Sequence, residues 1–184
     1  MKKLISLALA LVMIACVAAG CAPTNNEDNT PTVQNYVGTM EELVGKLIDA
    51  QPVEFMGMGM ALDLTGTDME AEDFAWYVKN YTGLENANDL SDAAFYEPMM
   101  GSIAFSLVTV RVKEGVDAKA VGEAMKAGID TRKWICVEAD DLMVVGYGDV
   151  VMLIMVDSEN GMTAQSYVDA FKTIVGADLS FTLN

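Results

Sequence analysis

Residues 132–156 read RKWICVEADDLMVVGYGDVVMLIMV, the longest near-continuous apolar run outside the N-terminus. Within it, residues 134–138 predict a short strand. Glu138, Asp140 and Asp141 make an acidic corner. Residues 142–147 and 150–156 then predict the two arms of a β-hairpin, because Gly148-Asp149 between them suits a primed two-residue turn. The second arm, VVMLIMV, is apolar on both faces, which places it inside a sheet rather than at an edge. The rest of the chain reads as elements that cover this hairpin.

On the C-terminal side, residues 163–175 predict a helix that buries Tyr167, Val168, Phe171, Ile174 and Val175, with Gly176 as its C-cap. On the N-terminal side, Asp117 caps a helix with Ala118, Val121, Ala124, Met125 and Ile129 inward. Residues 103–113 are a strand rich in β-branched side chains, and its end at Thr109, Arg111 and Lys113 turns a polar face to water. Residues 86–101 predict a short helix or turn and then a loop at Glu97-Pro98. Further upstream, Thr67 and Glu70 form a capping box for a helix that buries Ala71, Phe74, Ala75 and Val78 and stops at Gly83. Residues 53–64 alternate with period two, so Met56, Met58, Met60, Leu62 and Leu64 share one strand face, and Gly57, Gly59, Ala61 and Asp63 share the other. Thr39 and Glu42 form the capping box of a first helix, whose inward face is Met40, Leu43, Val44, Leu47 and Ile48. The expected fold is α+β: a mainly antiparallel sheet of about four to five strands with helices packed on one side.

The first twenty residues are a secretory signal: Lys2 and Lys3, an apolar stretch, then Ala18-Ala19-Gly20 before Cys21. Small residues directly before a cysteine resemble the lipobox of bacterial lipoproteins, so Cys21 is the expected site of lipid attachment. Residues 21–38 form a polar tether spanning on the order of 20 Å, and residues 39–184 form one domain. The expected location is the outer face of the cytoplasmic membrane, reached through the lipid. The chain carries 27 acidic against 11 basic side chains. Loss of the leader removes two lysines and no acid, and a surface this acidic is repelled by phosphate backbones and anionic headgroups. Nucleic acid is therefore excluded as a partner. An envelope or membrane protein is the expected one. With Cys21 acylated, Cys136 has no partner for an internal disulfide.

There is no histidine anywhere in the chain. That removes His-dependent triads, His-ligated metals and a His-activated Cys136. Gly57-Met-Gly59 and Gly146-Tyr-Gly148 lack the third glycine of a dinucleotide loop, and close packing or a turn accounts for both. The acidic corner could do acid–base work if one carboxylate were desolvated, and a solvated turn is the plainer reading. Asp63, Thr65, Thr67, Asp68 and Glu70 look superficially like a calcium loop, but Gly66 stands fourth where an EF-hand needs it sixth. Met56, Met58 and Met60 could hold a soft ion such as Cu(I), and core packing is the plainer reading. Cys136 reads as a small buried hydrophobe. Arg132, Lys133 and Trp134 read as a salt-bridged strand edge with a core Trp, or as an aromatic–cationic patch for an anionic partner. No catalytic residue, cofactor or metal site is assigned.

The runs GSIAFSLVTVRVKEGVDAKAV, KAGIDTRKWICVEADDL and GYGDVVMLIM, in that order, resemble a family of uncharacterised lipoproteins from clostridia and related Firmicutes. The resemblance spans residues 39–156. It implies a lipid anchor and an extracytoplasmic position, and it carries no catalytic residues with it. The function expected is that of a non-catalytic, lipid-anchored adaptor or accessory domain that binds a ligand or protein. The alternatives are a carboxylate-dependent enzyme acting on an envelope polymer and a Ca/Cu-binding buffer.

Overall fold

Strand β5 (Val150–Val156) is buried at all seven positions, as its unbroken apolar run requires. The computed structural model describes residues 35–184; the expected signal segment, Cys21 and nearly all of the expected tether lie outside these residues. Around β5 the chain is laid out as α1 (Met40–Ala50), β1 (Gly57–Ala61), α2 (Ala71–Thr82), β2 (Leu90–Pro98), β3 (Phe105–Val112), α3 (Ala118–Gly128), β4 (Asp141–Tyr147), β5, α4 (Ala164–Val175) and β6 (Phe181–Leu183). The six strands form one antiparallel sheet in the order β1-β2-β3-β5-β4-β6, so the fold is α+β. The predicted hairpin is present. Tyr147 pairs with Val150, and Gly148 takes the positive φ of 58° that the turn demands.

Helices cover both faces of the sheet, not one. Alternate residues of β5 point opposite ways: Val150, Met152, Ile154 and Val156 pack with Leu43 and Leu47 of α1 and Tyr167 and Phe171 of α4. Val151, Leu153 and Met155 pack with Val121 and Met125 of α3 and the half-buried Tyr77 and Tyr81 of α2. A strand apolar on both sides needs two covers, which is why one layer of helices was too few.

Four local expectations also change. Residues 86–101 contain strand β2, whose Ala93, Ala94 and Phe95 are consecutively buried because the sheet is covered twice. The Thr67–Glu70 capping box does not form: Glu70 is the N-cap of α2 without a side-chain bond, and Thr67 hydrogen-bonds to Thr65 instead. The buried side of α2 is Val78 and Thr82, with Ala71 and Ala75 exposed. Ala124, expected inward on α3, is exposed as well. The remaining caps hold as expected: the Thr39–Glu42 box on α1, Asp117 on α3, and left-handed glycines at 83 and 176; Thr163, expected inside the last helix, is the N-cap of α4.

Of the polar end expected to meet water, only Lys113, just past β3, is exposed; Thr109 and Arg111 turn inward. Thr109 is fully buried and donates to the Met40 carbonyl at 3.2 Å. Arg111 Nη2 donates to the carbonyls of Tyr36 and Gly38 at 2.8 and 2.9 Å, and Asp92 accepts from Met40 N at 2.8 Å. Residues 36–38, expected in the tether, are thereby clamped to the sheet at the C-terminal end of β3.

Candidate functional site

Residues 57–61, GMGMA, form an edge strand paired on one side only, to β2. The glycines explain one of its faces. A Cβ on Gly57 would lie 2.3 Å from a ring carbon of Tyr96, and one on Gly59 would lie 3.1 Å from the same ring, so Tyr96 lies flat across the strand here. The methionines occupy the opposite face, the side that α2 and α3 cover further inward. There Met58 stands directly across from Glu97, and Met60 across from Phe95. Met99 N donates to Met56 O at 3.0 Å, which extends the ladder by one rung and makes Met56 and Met99 cross-strand neighbours.

These side chains are not core. Met56 is 72% exposed, Met58 47%, Met60 41%, Met99 64% and Met100 55%. The helices that bury Phe95 stop short of the sheet edge. Next to Met100, Ile135 is likewise exposed and donates its backbone N–H to Gly101 O at 2.6 Å. An uncharged strand edge and six large apolar side chains thus face solvent together. Clustered exposure of that kind marks an interaction surface, whereas single exposed hydrophobics do not.

Behind this edge lies a buried polar cluster. The Lys133 ammonium reaches Glu97 Oε1, the Asn80 carbonyl at 2.8 Å and Ser106 Oγ at 3.4 Å, and Ser106 Oγ donates to Glu97 Oε1 at 2.7 Å. Its Nζ stands 5.3 Å from the Tyr81 ring centroid and 5.5 Å from that of Trp134. The Lys133 side chain is 6% exposed and that of Glu97 16%. Burial pushes the Lys133 pKa below its usual value, while the attraction of Glu97 works the other way. Burial, with the charge of Glu97 adding, pushes the Tyr81 phenol up to about 12. The cluster joins α2, β2, β3 and the 129–140 segment, next to Trp134 and Ile135. Ser106 is fully buried, which keeps this Ser–Lys contact from meeting a substrate.

Residues 134–138 form no strand. Cys136 has a φ of 62°, a left-handed conformation that breaks an extended run, and its side chain is exposed rather than buried. Lys133 turns inward to Glu97, so the aromatic–cationic patch is not displayed. Arg132 alone faces out and pairs with Glu138 at 3.3 Å.

The acidic corner does not converge. Glu138 is spent on Arg132. Asp140 accepts from Ser158 Oγ at 2.6 Å and Ser158 N at 2.7 Å, and these hydrogen bonds hold its carboxyl below the usual range, the wrong direction for a general acid. Asp141 accepts from Ala164 N at 2.8 Å and caps α4. In the calcium-like loop, Asp63 accepts from both the N–H and the hydroxyl of Thr65, and Thr67 donates to Thr65. Among the described residues no group of three or more Cys, Asp or Glu could hold a metal ion. A cleft of 460 Å³ lined by Pro52, Val53, Phe55, Ile103 and Met162 carries Glu54 as its one ionisable wall residue.

No protein-family model, no curated protein and no solved structure matches this chain. Sequence reasoning singled out Met56, Met58 and Met60 but assigned them to the core, and it missed Glu97, Met99 and Met100. The signal for the last three was present: Pro98 ends a strand as readily as it marks a loop, and Met99-Met100 repeats the thioether chemistry of residues 56–60.

Proposed function

We propose that this protein is a non-catalytic adaptor, held by lipid at Cys21 on the outer face of the cytoplasmic membrane, that binds an envelope or membrane protein along β1. The observation that carries the reading is the exposed, uncharged GMGMA edge flanked by Met56, Met99, Met100 and Ile135. Natural sheet edges are ordinarily guarded by charge, proline or a bulge, and β1 has none of these within it. An extended partner segment can add there as a further strand, its main chain supplying affinity and its side chains meeting the methionines. The chain's formal charge of −16 selects a segment flanked by lysine or arginine and opposes self-association through this edge. Geometry also favours access. Residues 36–38 join the domain at the Arg111 end of β3, whereas Met99 and Met100 lie beside its start at Phe105. Eight residues of strand separate these ends by roughly 25 Å, so the point where residues 36–38 join the sheet does not cover the methionine edge. The lipobox-like Ala18-Ala19-Gly20-Cys21 and the resemblance to clostridial lipoproteins support the location.

The test is a photoreactive residue at position 60, with position 123 on α3 as control, irradiated in native membranes. The expected result is one adduct from position 60, absent at position 123, whose crosslinked peptide is basic and extended. Identical adducts from both positions, or a homodimer from position 60, would refute the reading.

A further inference from the structure

We propose that Met56, Met58 and Met99 form a thioether site for a single soft monovalent cation, Cu(I) or Ag(I). The register supplies the geometry. Met56 and Met99 are cross-strand neighbours through the Met99 N to Met56 O bond, and Met58 follows Met56 by two residues on the same face. Cross-strand Cβ atoms lie about 5 Å apart, and i, i+2 positions on one strand face roughly 7 Å apart. A methionine side chain is unbranched with three rotatable bonds, so three sulfurs can close on one ion from these positions without backbone movement. Burial in the core would have spent these thioethers on packing. Exposures of 72%, 47% and 64% leave them free.

The surroundings select the ion. Thioether sulfur prefers Cu(I), whereas calcium, magnesium and manganese need carboxylate or carbonyl oxygen. The carboxylate on this face is Glu97, directly opposite Met58, and its Oε1 is already taken by Lys133 and Ser106. The chain has no histidine to recruit harder metals. A thioether carries no proton to lose, so binding here is independent of pH, unlike binding to a thiolate such as that of Cys136.

Full-length Cys136→Ser protein in detergent, carrying methionine labelled with ¹³C at the ε-methyl, is titrated with Ag(I) as a redox-inert probe, because the exposed Cys136 thiol would otherwise take the ion ahead of any thioether. Resonances are assigned by single Met→Leu changes. One equivalent is expected to shift the methyl signals of Met56, Met58 and Met99 while those of the buried Met125 and Met152 stay put. In that background the triple variant Met56→Leu/Met58→Leu/Met99→Leu should bind Ag(I) at least ~100-fold more weakly, and the affinity of the Cys136→Ser parent should change less than about twofold between pH 5.5 and 8. Undiminished binding by the triple variant, no binding by the Cys136→Ser parent, or affinity that collapses toward low pH would each overturn the proposal. Leucine removes sulfur but preserves the apolar edge. The photoadduct from position 60 therefore survives in the triple variant if docking depends on apolar contact, and the two readings fail separately.

Discussion

Replacing Glu97 by Gln takes away the carboxylate that faces a nearly buried ammonium. Lys133 would keep its contacts to the Asn80 carbonyl and Ser106 Oγ, but at 6% exposure it has little water to replace the lost charge. Removing one partner of a buried pair costs about 3–5 kcal/mol. With a urea m-value of about 2 kcal/mol per molar, the unfolding midpoint of Glu97→Gln should fall by about 2 M. Lys133→Met should cost less, because Glu97 is more exposed and retains the Ser106 hydroxyl as donor. The double variant carries no buried charge, so it should recover part of the loss and give a coupling energy of about 2 kcal/mol or more. Burial depresses the Lys133 pKa in the folded protein, so the unfolded chain holds this proton more tightly than the folded one. The group's contribution to stability therefore rises with pH between the depressed folded value and 10.5. Without Glu97 the depression deepens, and the deficit of Glu97→Gln should shrink from pH 7 to pH 9.5. Urea unfolding read by tryptophan fluorescence, with Trp134 beside Lys133 as local reporter, measures all of this. Additive single losses, or a Glu97→Gln loss below about 1 kcal/mol, would show that the pair is not desolvated as described.

The same substitution should act with opposite signs at two glycines. Gly45, on the exposed face of α1 with nothing within 4 Å of a Cβ, should gain about 0.5–1 kcal/mol as Ala; at Gly128 a Cβ would sit 2.0 Å from the Gly83 carbonyl oxygen, so Ala there should cost about 1–3 kcal/mol or more. Thermal melts of the two variants check both signs. Alkaline unfolding should set in above pH 10, because burial pushes the phenols of Tyr81 and Tyr167 up to about 12, and the unfolded chain ionises first. Tyr167→Phe should remove its share of the loss between pH 10 and 12, read by circular dichroism. Cys21→Ser should release the protein to the medium or leave it unprocessed, and correctly processed protein retained on membranes would refute lipid attachment there.

The elements legible in sequence were those decided by near neighbours. The Thr39–Glu42 box, the Asp117 cap, the Gly148-Asp149 turn and the terminal Gly176 each depend on contacts within a few residues, and each stands where expected. The central place of Val150–Val156 was legible for the same kind of reason, since a strand apolar on both sides must be covered on both. What the sequence alone could not decide is how far that cover extends. Met56, Met58 and Met60 alternate like a core strand, and only the tertiary arrangement, with β1 at the sheet edge beyond the reach of α2 and α3, leaves them in solvent. Likewise Lys133 has the composition of a surface residue. It is buried because Glu97 and Ser106, 36 and 27 positions upstream, meet it across two strands and supply the charge and hydrogen bonds that permit burial. Hydrophobicity and local hydrogen bonding are properties of the residue and its neighbours in sequence. Exposure and charge pairing are properties of the packed whole, and the candidate site rests on the second kind.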